Sequence, residues 1–256
     1  MLLRRVIAQV RKQEWTAVAI DFVIVVVGVF IGIQAANWNE SRADDARARG
    51  YLERIHSDLE ADVANYENRM RFWGAVSNYG LRGLAHADAG PMRDQKQWDL
   101  LLAYFQASQV GEFWTRSTTY DELKSAGELN LIASLDLRNA LARYYTEAGN
   151  PALTERPDYR EHVRGVIPID VQLYIWTACY ASNELGEQDF RDCRATISEA
   201  RAAGIVDSIR RDEPLMAELR YWMSTMQVAS QIGRDRTNFA RKLLASVDAQ
   251  LDGERE

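Results

Sequence analysis

Asp21 is the residue of this 256-residue chain whose position most strongly suggests chemistry. It opens the apolar stretch DFVIVVVGVFIGIQ, and more apolar residues precede it. A carboxylate near the middle of a bilayer costs about 2.5–3.5 kcal/mol on insertion scales. The residues three and four positions away on a helix are Ala17, Val18, Ile24 and Val25. None of them is basic, so we expect Asp21 to be protonated, hydrated or paired with another helix.

Small residues share the helical face of Asp21. At about 100° per residue, the carboxylate lies within an arc of about 80° that also holds four other residues. These residues are Val25, Gly28, Gly32 and Ala35. The G-x-x-x-G pair within this set lets two helix backbones approach closely. We therefore predict a docking face for another membrane helix. The alternative is a span shifted toward Phe22, with Asp21 among the lipid headgroups.

Other candidates for chemistry have simpler explanations. His56 and Glu60 stand four residues apart, a possible pair of metal ligands, but no third ligand is near them in sequence. The segment WTRSTTYDEL combines hydroxyls with an acid, and we predict that Thr118 or Thr119 caps a helix there. No nucleotide-binding or hydrolase fingerprint occurs. We expect no enzymatic activity, no cofactor and no metal, and a periplasmic hydrolase is the third hypothesis.

A membrane span must position the Asp21 face. Thr16 to Ala36 gives 21 residues, about 30 Å of helix, which matches the thickness of a bilayer core. Trp15 and Trp38 bracket the stretch, as aromatic residues do at membrane interfaces. We predict a transmembrane helix over residues 15–38. The alternatives are a cleaved signal peptide, whose apolar region is usually shorter, and a buried helix of a soluble protein.

Basic residues before the span predict its orientation. The leader over residues 1–14 carries Arg4, Arg5, Arg11 and Lys12. Positive residues near a first span favour the cytoplasmic side. Apolar residues at helical spacing predict that this leader lies along the inner leaflet, and a flexible tail is the alternative. We therefore predict a bacterial inner-membrane protein with its N-terminus in the cytoplasm and its C-terminal domain in the periplasm.

Two cysteines fit an oxidising compartment. Cys179 and Cys193 both follow the predicted span, and an even number suits a disulfide. Two buried free thiols are the alternative. The chain carries a net charge of −6, which makes nucleic acid an unsuitable partner. The predicted partners are the lipid bilayer and other transmembrane helices, from a second copy or from a membrane complex.

Helical periodicity dominates the rest of the chain. Seven residues between positions 52 and 73 step by three or four: Leu52, Ile55, Leu59, Val63, Tyr66, Met70 and Trp73. We predict a stalk helix over residues 39–86, with a break near Gly50, followed by a loop in HADAGPMRD. A periplasmic helical domain is predicted over residues 87–256, with a last long helix from about Asp212. The fold class is all-α.

The stretch DFVIVVVGVFIGIQAANWNE resembles an uncharacterised family of bacterial single-span membrane proteins. The N-terminal signature of that family reads roughly E-x-x-L-V-x-x-G-I-x-I-A-L-Q-x-N-N-W-N-E. Asp21 stands at the position of its Glu, and six residues match directly: Gly28, Gln34, Asn37, Trp38, Asn39 and Glu40. Gly32 replaces the usual Ala, and Ala36 replaces the first Asn of the pair. The segment YDELKSAGELNLIASLDLRNALARYY is similar to the more variable domain of that family. The resemblance implies a topology and no activity.

The pattern of the span also resembles the small stator subunits of TonB-type and flagellar motors. Those proteins combine one span, an aspartate early in the helix and a periplasmic domain. Two functional hypotheses follow. The first is an interaction or scaffold subunit of a membrane complex, which docks through the Asp21 face and the periplasmic domain. The alternative is an ion-coupled, stator-like subunit in which Asp21 titrates.

Overall fold

Helices form nearly all of the regular structure, as predicted for an all-α protein. The structure is a computed structural model that describes residues 15–90, 95–111, 115–146, 156–184 and 186–253, with side chains from Ala19 onward. Those residues contain eight α-helices, one 3₁₀ turn and one two-stranded hairpin. The predicted leader over residues 1–14 lies outside the described residues.

The helices are α1 (Trp15–Ala89), α2 (Gln97–Gln106), α3 (Thr118–Ser125), α4 (Leu135–Thr146), α5 (Asp158–Val166), α6 (Ile169–Ala178), α7 (Glu199–Arg211) and α8 (Glu213–Gly253). The 3₁₀ turn spans Leu129–Leu131, between α3 and α4. Strands β1 (Tyr180–Ser182) and β2 (Gln188–Phe190) pair antiparallel between α6 and α7.

The chain divides into an N-terminal unit, Met1–Tyr51, and a C-terminal unit, Leu52–Glu256. In the N-terminal unit every described side chain from residue 19 to residue 43 is exposed. This part of α1 is long and apolar enough to cross a membrane, and it is the one such helix among the residues searched. It is therefore a candidate membrane span. A signal sequence near the N-terminus can also meet these criteria of length and composition, so the cleaved signal peptide stays the alternative.

In the C-terminal unit, α8 runs antiparallel to residues 52–89 of α1. Contacts follow one another in opposite chain directions along the two helices: Asp88 with Arg220, Gly80 with Met223, Met70 with Gly233, Glu67 with Arg241 and His56 with Asp248. A Cβ atom at Gly80 would overlap the sulfur of Met223, and one at Gly233 would overlap the sulfur of Met70. The two helices therefore pack closely because glycine is present at both points.

The buried stripe of α1 differs from the predicted one at two positions. Leu59, Tyr66 and Trp73 are buried as expected. Asp62 and Arg69, however, occupy the buried positions that the periodicity assigned to Val63 and Met70, which are only half-buried. Steps of four and three connect Leu59, Asp62, Tyr66, Arg69 and Trp73, so the same face continues with charged residues in it.

Two groups of helices pack along this pair. Helices α3 and α4 pack at one end, where Tyr144 meets Phe239 of α8 with ring centroids 5.8 Å apart. At the other end, α2, α5, α6 and α7 enclose the larger core cluster. Its fully buried members include Trp73, Tyr104, Phe105, Tyr159 and Leu219. Helix α8 contacts α4, α5 and α7, so it connects both groups.

A hairpin closed by a disulfide covers part of the larger core. Cys179 follows α6 and bonds to Cys193 after β2, with 5.1 Å between their Cα atoms. The ring of Phe190, at the end of β2, stacks on Phe72 of α1 at 4.9 Å and meets Tyr79 edge-on at 5.1 Å. Arg69 donates to the carbonyl of Gly186 in the hairpin loop at 2.6 Å. The disulfide therefore holds a short hairpin that has little pairing of its own.

The limits of α1 differ from the predicted elements. The helix continues through Gly50, where a break was expected, and through the HADA segment, which was expected to be a loop. It ends at Ala89, and Gly90 follows with φ of 73°, a left-handed conformation that glycine adopts without strain. Because the C-terminal unit begins at Leu52, residues 52–86 of the predicted stalk belong to that unit.

Helix capping also differs in part. The hydroxyl of Thr119 donates to Asp58 of α1 at 2.6 Å, and Ser117 is the residue before α3, so neither Thr118 nor Thr119 caps it. Ser134 caps α4 by accepting from the backbone N–H of Leu137 at 3.2 Å. The hydroxyl of Thr119 thus joins α3 to α1 instead of capping α3.

Loss of the disulfide should destabilise the C-terminal unit. We expect the double substitution Cys179→Ser/Cys193→Ser to lower the free energy of unfolding by about 3 kcal/mol, because the bridge closes a loop of about 15 residues. Denaturant unfolding followed by tryptophan fluorescence would measure this. Peptide mapping without reductant should recover the two cysteines in one linked fragment. Recovery of both as free thiols from native membranes would contradict the bridge.

Candidate functional site

The predicted docking face lies in the exposed part of α1. Its five residues are Asp21, Val25, Gly28, Gly32 and Ala35, and all five are exposed. Since they lie on one α-helix, their spacing places them along one side of it. Apart from the adjacent backbone of α1 itself, no described atom lies within 4 Å of a Cβ added at Gly28 or Gly32. The face is therefore open to a close approach by another helix.

Aromatic and basic residues flank the apolar segment. At its C-terminal end Trp38 is exposed, and the guanidinium of Arg42 lies 4.2 Å from its ring centroid. This cation–π pair joins two side chains that both suit a membrane interface. Helix α1 begins at Trp15, whose side chain is outside the described residues, as are Arg4, Arg5, Arg11 and Lys12. Their predicted interfacial role stays a prediction.

A buried carboxylate that periodicity did not identify lies where α1 meets α3 and α4. Asp62 accepts the backbone N–H of Arg116 at 3.0 Å and the hydroxyl of Tyr144 at 2.8 Å. One turn earlier, Asp58 accepts the hydroxyl of Thr119 at 2.6 Å. Each oxygen of Asp62 thus has a donor from a different segment, so this residue links α4 and the start of α3 to α1.

Burial controls the electrostatics of this cluster. It raises the pKa of Asp62, and the hydrogen bonds from Arg116 and Tyr144 partly offset that effect. Burial also raises the pKa of Tyr144, and the negative charge of Asp62 adds to the shift. Because both of its oxygens accept hydrogen bonds from other segments, Asp62 has a structural role in the fold. A signal for it existed in the sequence, since Asp62 lies on the face of Leu59 and Tyr66.

The arrangement around His56 does not form a metal site. Its Nε2 lies 2.9 Å from Asp248 of α8, and its Nδ1 lies 3.6 Å from Glu60. The two carboxylates face opposite sides of the ring, so they share no point at which an ion could sit. No cluster of three or more His, Cys, Asp or Glu residues able to hold a metal occurs in the described part of the chain.

The other two histidines also join helices. His162 of α5 contacts Asp212 through Nε2 at 3.1 Å and Glu218 through Nδ1 at 3.0 Å. His86 is buried, and its Nδ1 lies 3.1 Å from the hydroxyl of Tyr104. Because that hydroxyl donates to the carbonyl of Gly83 at 2.9 Å, Nδ1 is the donor to Tyr104. Burial and the nearby Arg210 lower the pKa of His86, which favours its neutral form.

Comparison with known proteins adds no relative: no family model, no curated protein and no solved structure matches this chain. The resemblance of residues 21–40 to the single-span family stays a prediction.

The Asp62 cluster predicts a pH dependence of stability. The pKa of the Asp62 carboxyl is higher in the folded chain than in the unfolded chain, where it is near 4. The contribution of the protonated carboxyl to folding stability is therefore complete below the unfolded pKa and is lost as the pH rises through the folded pKa. Relative to the unsubstituted chain, Asp62→Asn should therefore gain stability between pH 4 and pH 7. Denaturant unfolding of the full chain in detergent at several pH values would measure the difference.

Glu122→Gln provides a control, because its stability relative to the unsubstituted chain should change with pH in the opposite direction. A hydrogen bond from Arg54 lowers the pKa of Glu122, so this pair stabilises the fold above the unfolded pKa and the contribution is lost at acid pH. The variant should lose relative stability as the pH rises. Identical trends for Asp62→Asn and Glu122→Gln would contradict the assignment.

Proposed function

We propose that this protein is a single-span subunit of a bacterial inner-membrane complex, which docks on another membrane helix through Asp21, Gly28 and Gly32. Its N-terminus lies in the cytoplasm, and its C-terminal unit lies in the periplasm, where it binds or scaffolds partners. The open, small-residue face beside a carboxylate in an otherwise apolar helix is the observation that carries this proposal. Neither enzymatic activity nor a cofactor is part of it.

The exposure of apolar side chains supports a membrane environment. Eleven Val, Ile and Phe residues between Ile20 and Ile33 are each about half exposed or more. Fully burying one such side chain is worth about 1.5–3 kcal/mol. Leaving all of them in water would cost more than the whole stability of a typical domain. A bilayer removes this cost, and its thickness matches the length of the segment.

The chemistry of Asp21 supports a second helix. Within the segment from residue 19 to residue 36, Asp21 is the one acidic or basic residue. A carboxylate that faced lipid alone would stay uncompensated. A neighbouring helix that carries a hydrogen-bond donor or a cation at this depth would compensate it, and Gly28 and Gly32 allow the close approach this requires. A second parallel copy would bring two Asp21 carboxylates together, so one of them would have to be protonated.

Substitutions on two faces of the helix test the docking proposal. Gly28→Leu should reduce the amount of partner that copurifies from mild detergent by about tenfold, because a side chain replaces the backbone contact. Ala19→Leu is the matched control, since Ala19 lies about 160° from Asp21 around the helix and its substitution also adds bulk. Equal amounts of partner with Gly28→Leu and with Ala19→Leu would contradict docking by this face.

Asp21→Asn separates assembly from ion coupling. This change keeps the shape and most of the hydrogen bonding but removes ionisation. If the residue serves assembly, the complex should persist and a strain that depends on the protein should grow normally. An intact complex together with lost growth would instead support the stator-like alternative. If Asp21→Leu and Gly28→Leu both leave assembly and growth unchanged, Asp21 lies among the headgroups and the proposal is wrong.

A reporter fusion tests the topology. We expect a reporter that is active only outside the cytoplasm to be active when it follows Glu256, because the basic leader keeps the N-terminus inside. A cytoplasm-specific reporter at the same position is the control and should be silent. The reverse pattern with intact fusions would overturn the orientation.

A further inference from the structure

A groove lined with arginines lies along the α1–α8 pair. The described residues that line it all belong to these two helices: Glu67, Met70, Arg71, Arg234, Thr237, Asn238 and Arg241. Its volume is about 570 Å³. Met70 also contacts Gly233, the point of close approach between the two helices. The groove therefore lies beside one of the two points at which a glycine lets the helices pack closely.

The charges in the groove do not balance. Glu67 is the one carboxylate among the described residues that line the groove, and it forms an ion pair with Arg241 of the opposite helix. Glu67 also precedes Arg71 by four residues, a spacing at which the two would normally pair. Because Glu67 is engaged by Arg241, Arg71 makes no hydrogen bond or ion pair with any residue that the structure describes. Arg234 donates only to the side-chain oxygen of Gln231, at 2.8 Å.

Within the described part of the chain, the guanidinium groups of Arg71 and Arg234 therefore have no carboxylate partner, although the net charge of the chain is −6. Neither is used to hold the fold, since both side chains are exposed and neither bonds to another helix.

We propose that this groove binds a phosphate group. A guanidinium presents parallel N–H donors that match phosphate oxygens, and two such groups from opposite sides balance a dianion. Asn238 adds an amide donor at the same groove. The groove is open to solvent and its volume falls within the usual range for small-ligand sites, so it has room for a phosphate group that is part of a larger molecule. Two sources supply this chemistry, a soluble phosphate ester and a phospholipid headgroup.

The test uses the full chain in nanodiscs of phosphatidylcholine. Calorimetric titration with inorganic phosphate measures the first source, and sedimentation of the nanodiscs with phosphatidylglycerol vesicles measures the second. Arg71→Gln/Arg234→Gln should weaken whichever binding occurs by about tenfold or more, because charge-assisted hydrogen bonds are lost. Acetate at equal ionic strength should bind at least about tenfold more weakly than phosphate.

Arg82→Gln/Arg220→Gln is the matched control. It removes two charges from the same two helices, and neither residue lines the groove. Phosphate binding that is weakened only by the groove variant supports a soluble phosphate compound. Vesicle binding that is weakened only by the groove variant, without phosphate binding, supports a headgroup. No binding of either probe, equal binding of acetate, or equal loss in both double variants would overturn the proposal.

Discussion

The antiparallel contact between α8 and residues 52–89 of α1 is the interaction on which the C-terminal unit depends. Paired residues from His56 to Asp88 extend along about 48 Å of helix. Glycine at positions 80 and 233 allows the Met223 and Met70 side chains to lie directly on the opposite backbone. Every other described helix of this unit then packs at one end of the pair or the other. A substitution with a large residue at either glycine would therefore separate the two helices and disturb both groups.

Two buried charged residues of α1 hold other segments of the C-terminal unit against this helix. Burying a charge is expensive unless its hydrogen bonds are made, and Asp62 and Arg69 are both almost fully buried. The donors to Asp62 bring α4 and the start of α3 to α1, whereas Arg69 holds the hairpin through Gly186 and Gln188. Apolar residues at the positions of Asp62 and Arg69 could pack against many different apolar surfaces. Asp62 needs hydrogen-bond donors and Arg69 needs acceptors at defined positions, and few arrangements of the chain provide them. This requirement makes the positions of α3, α4 and the hairpin specific.

The exposed, apolar segment of α1 and the arginine-lined groove offer two surfaces of opposite chemistry. The first is a small-residue face with one carboxylate, suited to a helix in a low-dielectric medium. The second presents two uncompensated guanidiniums, suited to an anion. They use different residues and different physical forces, so each is testable while the other is intact. A membrane subunit that holds a partner through its helix and a phosphate compound through its outer unit would combine them.

The sequence by itself determined the helices, the candidate span and the composition of its faces. Periodicity located α8 and most of the buried face of α1, because the 3.6-residue repeat depends only on local order. The Asp21 face follows in the same way, since one helix places Gly28 and Gly32 beside it. Periodicity assigned Val63 and Met70 to the core in place of Asp62 and Arg69, because it favours the apolar neighbour of a charged residue. Only the tertiary structure supplied the hydrogen-bond partners of those two residues, and only it brought Arg71 and Arg234 to one groove. Residues so far apart in sequence meet through the packing of α1 on α8, and no local pattern records which distant side chain satisfies a buried charge or leaves an exposed one unpaired.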